Sequence, residues 1–137
     1  MVMIEHRLLY YIEDEVPEKP FTMKLGPAVI RRHGKDVTIV ANSYMVVEAL
    51  TAAKFLEEQK IDVEIVDPVC LAPLDAETIL TSVQKTGRLL VVDTSWVCCG
   101  ASSEIAALVA EKAHDALHAP IRRLGTQPVS CPVSKPL

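Results

Sequence analysis

The sequence predicts an α/β domain: a parallel or mostly parallel sheet flanked by helices. Two observations carry this. From Gly34 onward, short apolar runs alternate with amphipathic segments four times, and the connections are too short to join anything but neighbouring units. The chain is also 137 residues long and half hydrophobic, enough to bury one core and too short for two ordinary domains.

Residues 1–33 stand apart as an extended arm. They contain the acidic stretch Glu13-Asp14-Glu15, prolines at 17, 20 and 27, and Tyr10, Tyr11 and Phe21, half of the chain's six aromatic residues. Aromatic side chains in an arm predict that it lies against a surface, its own or another domain's. Val37 to Ala41 is an apolar run between turn residues, the pattern of a strand buried on both faces. Asn42 or Ser43 is placed to cap the helix that follows, where Val46, Ala49, Leu50, Ala53 and Leu56 recur at three- and four-residue spacing within Tyr44 to Gln59.

Ile61 to Val66 alternates Ile61, Val63 and Ile65 with Asp62 and Glu64, predicting a strand with one wetter face, ended by Asp67-Pro68. Asp75 caps a second helix running to about Lys85, with Gly87 as its stop. Leu89 to Val92 is the most hydrophobic strand and is expected at the centre. Glu104 to Leu117 reads as a third helix and Ile121 to Leu124 as a last strand. Residues 34–127 thus form the domain, and 128–137, with Pro128, Pro132 and Pro136, an extended tail.

The formal charge of −4, with 14 basic residues mixed among 18 acidic ones, leaves no basic face for a phosphate backbone, so nucleic acid is not an expected partner. No apolar run reaches the ~20 residues of a membrane helix, and Glu5, His6 and Arg7 interrupt the opening where a signal peptide would be apolar. A cytoplasmic protein is expected, with Cys70, Cys98, Cys99 and Cys131 reduced, because no CxxC spacing occurs and neighbouring Cys98 and Cys99 are poorly placed to bridge.

Sheets of this kind hold ligands at the carboxyl ends of their strands. Neither GxGxxG nor GxxxxGK[ST] occurs, which removes the usual nucleotide sites. The loop Asp93 to Glu104 is the most varied chemically. In one reading, Cys98 or Cys99 is a nucleophile whose thiol pKa is lowered by the helix that follows. In the other, which no nearby histidine contradicts, the cysteines are small semi-buried residues, Ser102 or Ser103 is a cap, and Glu104 sits at the positive helix end. His114 and His118, four apart on the expected third helix, have the spacing of two metal ligands but no zincin-like glutamate. They read as a solvated helix end.

Several stretches together resemble one family. Ile4-Glu-His-Arg-Leu-Leu-Tyr10 with Glu15-Val-Pro is similar to the end of the pyrimidine-binding domain and the linker of 2-oxoacid dehydrogenase beta subunits. Gly34-Lys-Asp-Val-Thr-Ile-Val-Ala41, Glu48-Ala-Leu, Val66-Asp67 with Leu71-Ala-Pro-Leu-Asp75, Thr86-Gly-Arg-Leu-Leu-Val-Val92, Glu104-Ile-Ala-Ala107 and Ala119-Pro-Ile-Arg-Arg123 resemble, in order, the transketolase C-terminal domain. The chain departs from that pattern at Pro68-Val69-Cys70, where an arginine is frequent, at Thr94, and in Cys98-Cys99-Gly100-Ala101-Ser102-Ser103, which keeps one glycine of a glycine-rich loop.

The resemblance implies a three-layer domain with about five strands, one edge strand possibly antiparallel. It also implies that the parent enzyme is a thiamine-diphosphate-dependent 2-oxoacid dehydrogenase passing an acyl group to lipoamide. The activating glutamate and the magnesium-held diphosphate belong to parts outside this chain, so neither thiamine diphosphate nor magnesium, and no catalytic residue, is expected on it. The implied partners are an alpha subunit, a second beta subunit and the lipoyl acyltransferase core. Trp96, Cys98, Cys99, Gly100, Lys135 and Leu137 are the interface candidates, in the loop and the tail. Alternatives are the C-terminal domain of a single-chain transketolase-like enzyme and a free-standing interaction domain.

Overall fold

The computed structural model describes residues 6–130. Lys135 and Leu137 lie outside the described residues. The element order is β1 (Val29–Arg32), β2 (Val37–Ala41), α1 (Tyr44–Glu58), β3 (Val63–Asp67), α2 (Ala76–Thr86), β4 (Leu89–Trp96), α3 (Ala101–Lys112) and β5 (Arg122–Thr126), with short 3-10 helices at Arg7–Tyr11 and His114–Ala116. The strands form one sheet in the order β1-β3-β2-β4-β5, parallel except for β1, which pairs antiparallel with β3 at one edge.

Side chains along each strand alternate between two cores, as the two-residue period requires. Ile39, Ala41, Val63 and Ile65 pack with Val46, Ala49 and Ala53 of α1 on one face. Val40, Val66, Leu89 and Val91 pack on the other face with Ile79 and Val83 of α2 and Ile105 and Val109 of α3. The molecule is therefore three layers, and both faces of β2 and β3 are covered. At roughly 25 cal/mol for each Å² of apolar surface removed from water, these two clusters are the main source of stability.

Three local differences from the sequence reading have physical causes. The sheet includes Val29–Arg32, which lie in the expected arm: polar Arg31 and Arg32 hide a strand whose charges point to carboxylates, Arg31 to Asp67 and Arg32 to Asp62. β3 has no wetter face. All five of its residues are buried, and Glu64 is 0% exposed because it is met by the Lys85 ammonium of α2 and the backbone N–H of Gly34. The third helix stops at Lys112, and the chain passes through a 3-10 turn before His118, so His114 and His118 do not share a helix face.

Leu89 begins an inner strand, but the middle position belongs to β2. Asp75 and Gly87 act as expected. The Asp75 carboxylate accepts from the Thr78 backbone N–H at 3.1 Å, and Gly87 ends α2 at φ 68°, a conformation only glycine adopts freely. α1 begins at Ser43 without a side-chain cap.

Candidate functional site

The carboxyl ends of β2, β3 and β4 collect the groups able to do chemistry, in two clusters. The first is a cavity of about 370 Å³ lined by Leu9, Arg31, Asn42, Ser43, Asp67 and Val69. The buried Asp67 carboxylate accepts from Arg31 Nε at 3.0 Å and Nη2 at 2.7 Å, and from the Val69 N–H at 3.0 Å. Both Ser43 (φ 54°) and Val69 (φ 58°) hold left-handed backbone that their side chains disfavour. The arm reaches this edge: the His6 ring stacks on Tyr44 with centroids 5.2 Å apart. No sequence signal marked Arg31, because its partner becomes visible only once β1 lies antiparallel to β3. Asp67 was legible only as a strand end.

The second cluster is the β4–α3 loop, where a cavity of about 480 Å³ is lined by Thr94, Trp96, Cys98, Cys99, Gly100 and Val129 among others. It contains four of the sequence's interface candidates: Trp96, Cys98, Cys99 and Gly100. Local hydrogen bonds shape this loop. Asp93 accepts from Ser95 Oγ at 2.5 Å, the Thr126 hydroxyl donates to Thr94 O at 2.8 Å, and Arg123 Nη1 donates to Val97 O and to Ser103 Oγ, each at 2.7 Å. Gly100 is required, since a Cβ there would collide with the Trp96 carbonyl. Gly100 also precedes α3 directly, so Ser102 and Ser103 lie inside the first turn, and Ser102 Oγ is buried without a partner. Trp96 is 51% exposed.

The nucleophile reading of the cysteines finds no support in this geometry. Cys98 and Cys99 contact each other, Sγ to Sγ 3.7 Å, and the Cys99 thiol is pushed up by its hydrogen bond to Cys98 and then by the neighbour's charge. An activated thiol is lowered. Cys70 donates to Ala72 O at 3.2 Å. Elsewhere, burial works to raise the Glu64 carboxyl, but hydrogen bonds from Lys85, Ser82 and Gly34 outweigh it and hold the group below the ordinary range. Asp75 is lowered by the Ala28 N–H, then by Thr78.

Thiamine diphosphate needs donors cradling its diphosphate, and the magnesium held with it takes one or two carboxylates alongside the phosphate oxygens. Among the described residues no group of three or more His, Cys, Asp or Glu is placed to hold a metal, and the loop after β2 is Asn42-Ser43-Tyr44, without glycine. That loop therefore offers no glycine-rich cradle for a diphosphate. No helix of the described residues is long and apolar enough to cross a membrane.

A family model, "Transketolase, C-terminal domain", matches residues 26–137, from the turn that leads into β1 onward. The chain belongs to the transketolase C-terminal domain family. This transketolase C-terminal domain is 43% identical over 130 residues to the acetoin:2,6-dichlorophenolindophenol oxidoreductase subunit beta of Bacillus subtilis, covering 95% of the chain and 38% of the relative. The corresponding subunit of Cupriavidus necator is 43% identical over 137 residues, 100% of the chain and 39% of the relative. The pyruvate dehydrogenase E1 component subunit beta of Bacillus subtilis is 38% identical over 136 residues, 98% of the chain and 42% of the relative. A solved split-gene transketolase, an inactive beta4 tetramer, superposes with a TM-score of 0.72 at 32% identity over 85% of this chain and 37% of that one. The chain spans about two fifths of the length of these curated relatives.

Proposed function

We propose that this transketolase C-terminal domain is the assembly domain of the beta subunit of a cytoplasmic 2-oxoacid dehydrogenase. The parent enzyme decarboxylates a 2-oxoacid oxidatively with thiamine diphosphate and magnesium bound outside this chain, and passes the acyl group to lipoamide. The domain does no chemistry alone. It joins the alpha subunit and a second beta subunit and offers the loop Trp96 to Gly100, with the tail residues Lys135 and Leu137, to partners that include the lipoyl acyltransferase core. In this reading the residues before β1 are the end of a pyrimidine-binding domain and its linker.

One observation carries the reading. The family model begins at residue 26, yet similarity to a pyruvate dehydrogenase E1 component subunit beta, that of Dictyostelium discoideum, covers 100% of this chain, so the arm is matched as well as the domain. The exposed Trp96 supports the loop's part in it, because half-exposed tryptophan is common at interface centres. The split-gene transketolase likeness favours a second reading, a transketolase-type enzyme.

Native purification from the source organism, followed by intact-mass measurement of each subunit, tests the proposal. The expected result is a subunit more than twice 15.0 kDa that arrives with a different second chain and has 2-oxoacid dehydrogenase activity. A 15.0 kDa chain without a companion would overturn it, and transketolase activity in the purified complex would establish the second reading.

A further inference from the structure

The 370 Å³ cavity at the carboxyl ends of β2 and β3 has no part in the assembly reading, and its lining has two kinds of surface. Leu9, Val69 and Leu71 make it apolar, while Arg31, Asn42 and Ser43 bring polar groups to it. Those polar groups are mainly donors. Arg31 places Nε and Nη2 on a single oxygen of Asp67, two of the five N–H groups that a guanidinium carries. The other Asp67 oxygen is taken by the Val69 N–H. The carboxylate, 12% exposed, is thus filled from within the domain, whereas the Arg31 side chain is 43% exposed and keeps donors to spare.

Asn42 adds a sharper signal. Its Nδ2 is buried and meets no acceptor among the described residues, a state that a folded chain pays for unless something fills it. The next residue, Ser43, opens α1 with no side-chain cap, and the first turn of that 15-residue helix holds no acidic residue. The positive end of the helix therefore adds to the demand for an acceptor. We propose that this cavity binds a small aliphatic monocarboxylate, its oxygens on Arg31, Asn42 Nδ2 and the start of α1, and its hydrocarbon part on Leu9, Val69 and Leu71.

Charge and size set the ligand class. Asp67 offsets the formal charge of Arg31, so the surplus is the helix end, roughly half an elementary charge. That suits one carboxylate and falls well short of the second charge of a phosphate. A single water, about 30 Å³ in the liquid, would satisfy Nδ2 but leave most of the 370 Å³ unfilled and gain nothing from the apolar lining. A short branched acid meets both surfaces at once. Binding is reversible and makes no covalent bond.

The test is an NMR titration of the ¹⁵N-labelled 137-residue chain with sodium 2-methylpropanoate, with sodium phosphate and neutral 2-methylpropanamide as comparators at equal ionic strength. No other subunit takes part, so the result is independent of the assembly reading. Saturable shifts are expected for the Asn42 side-chain NH2 and the Arg31 Nε–H, with a Kd of about 1 mM, and binding about tenfold weaker for both comparators. Asn42→Asp keeps the side chain's shape and puts a favourable charge at a helix start, so the variant folds, yet it repels the ligand and should weaken binding about tenfold or more. Arg31→Lys keeps the charge but loses the fork, and should weaken binding about threefold. Unmoved signals away from the cavity report that both variants are folded. Shifts that fail to saturate, equal affinity for phosphate or for the amide, or unchanged binding by Asn42→Asp would each overturn the proposal.

Discussion

The starts of α2 and α3 face the same edge of the sheet and are built in opposite ways. At α2, the polar groups are matched from within: Asp75 takes the Thr78 N–H, the Thr78 hydroxyl at 2.8 Å and the Ala28 N–H at 2.9 Å, and further along the helix Lys85 meets the buried Glu64. At α3, there is no side-chain cap, Ser102 Oγ is buried unpaired, and Trp96, Cys98 and Cys99 are exposed. The α2 corner is closed on itself and holds the fold. The α3 corner keeps groups whose needs the domain does not meet, as expected of a surface that meets something else.

Perturbing the two corners should therefore separate stability from association. The largest effect is expected for Ile79→Ala, which empties a fully buried position between α2 and the sheet: a loss of about 3 kcal/mol in urea unfolding. Lys85→Met should follow. It strands the Glu64 carboxylate, and because Lys85 is itself 45% exposed, the cost falls to about 2 kcal/mol, below that of a fully buried pair. A cost at the level of an ordinary surface change would mean that this contact does not hold the far end of α2 to the sheet.

Asp75→Ala should cost about 1–2 kcal/mol through the lost cap. Its pH signature is sharper. The folded state holds this carboxyl below its unfolded value of about 3.9, so its stabilisation is complete above that pH and is lost as pH falls through the folded value. Unfolding free energy measured between neutral and acid pH should accordingly fall less steeply for Asp75→Asn than for the unmodified chain. An unchanged slope would deny the carboxylate this role. Trp96→Ala should be the mildest in isolation, less than about 1 kcal/mol by thermal unfolding. Sedimentation of the whole complex should nevertheless show weakened association. A large loss of stability would instead make Trp96 part of the fold.

The closed corner was largely legible in the sequence, and the open one only in outline. Asp75 and Gly87 announce themselves because cap and stop are local requirements, and the apolar periods of β2, α1 and β4 report burial directly. β1 was illegible: Arg31 and Arg32 look solvated until the carboxylates across the sheet are in place. Glu64 misled for the same reason, since alternation marks a wet face unless a cation reaches over it from another element. The loop's interest could be read from its residue types, but the convergence of Cys98 and Cys99 depends on a backbone turn that no spacing rule encodes.

The bond from the Ala28 N–H to Asp75 Oδ2 has an engineering consequence. It fastens the chain immediately before β1 to the start of α2, so every strand pairing lies downstream of that fastening. A gene trimmed to begin just ahead of Gly26 would keep the whole sheet and its latch, while giving up the His6–Tyr44 stack and the Leu9 wall of the first cavity.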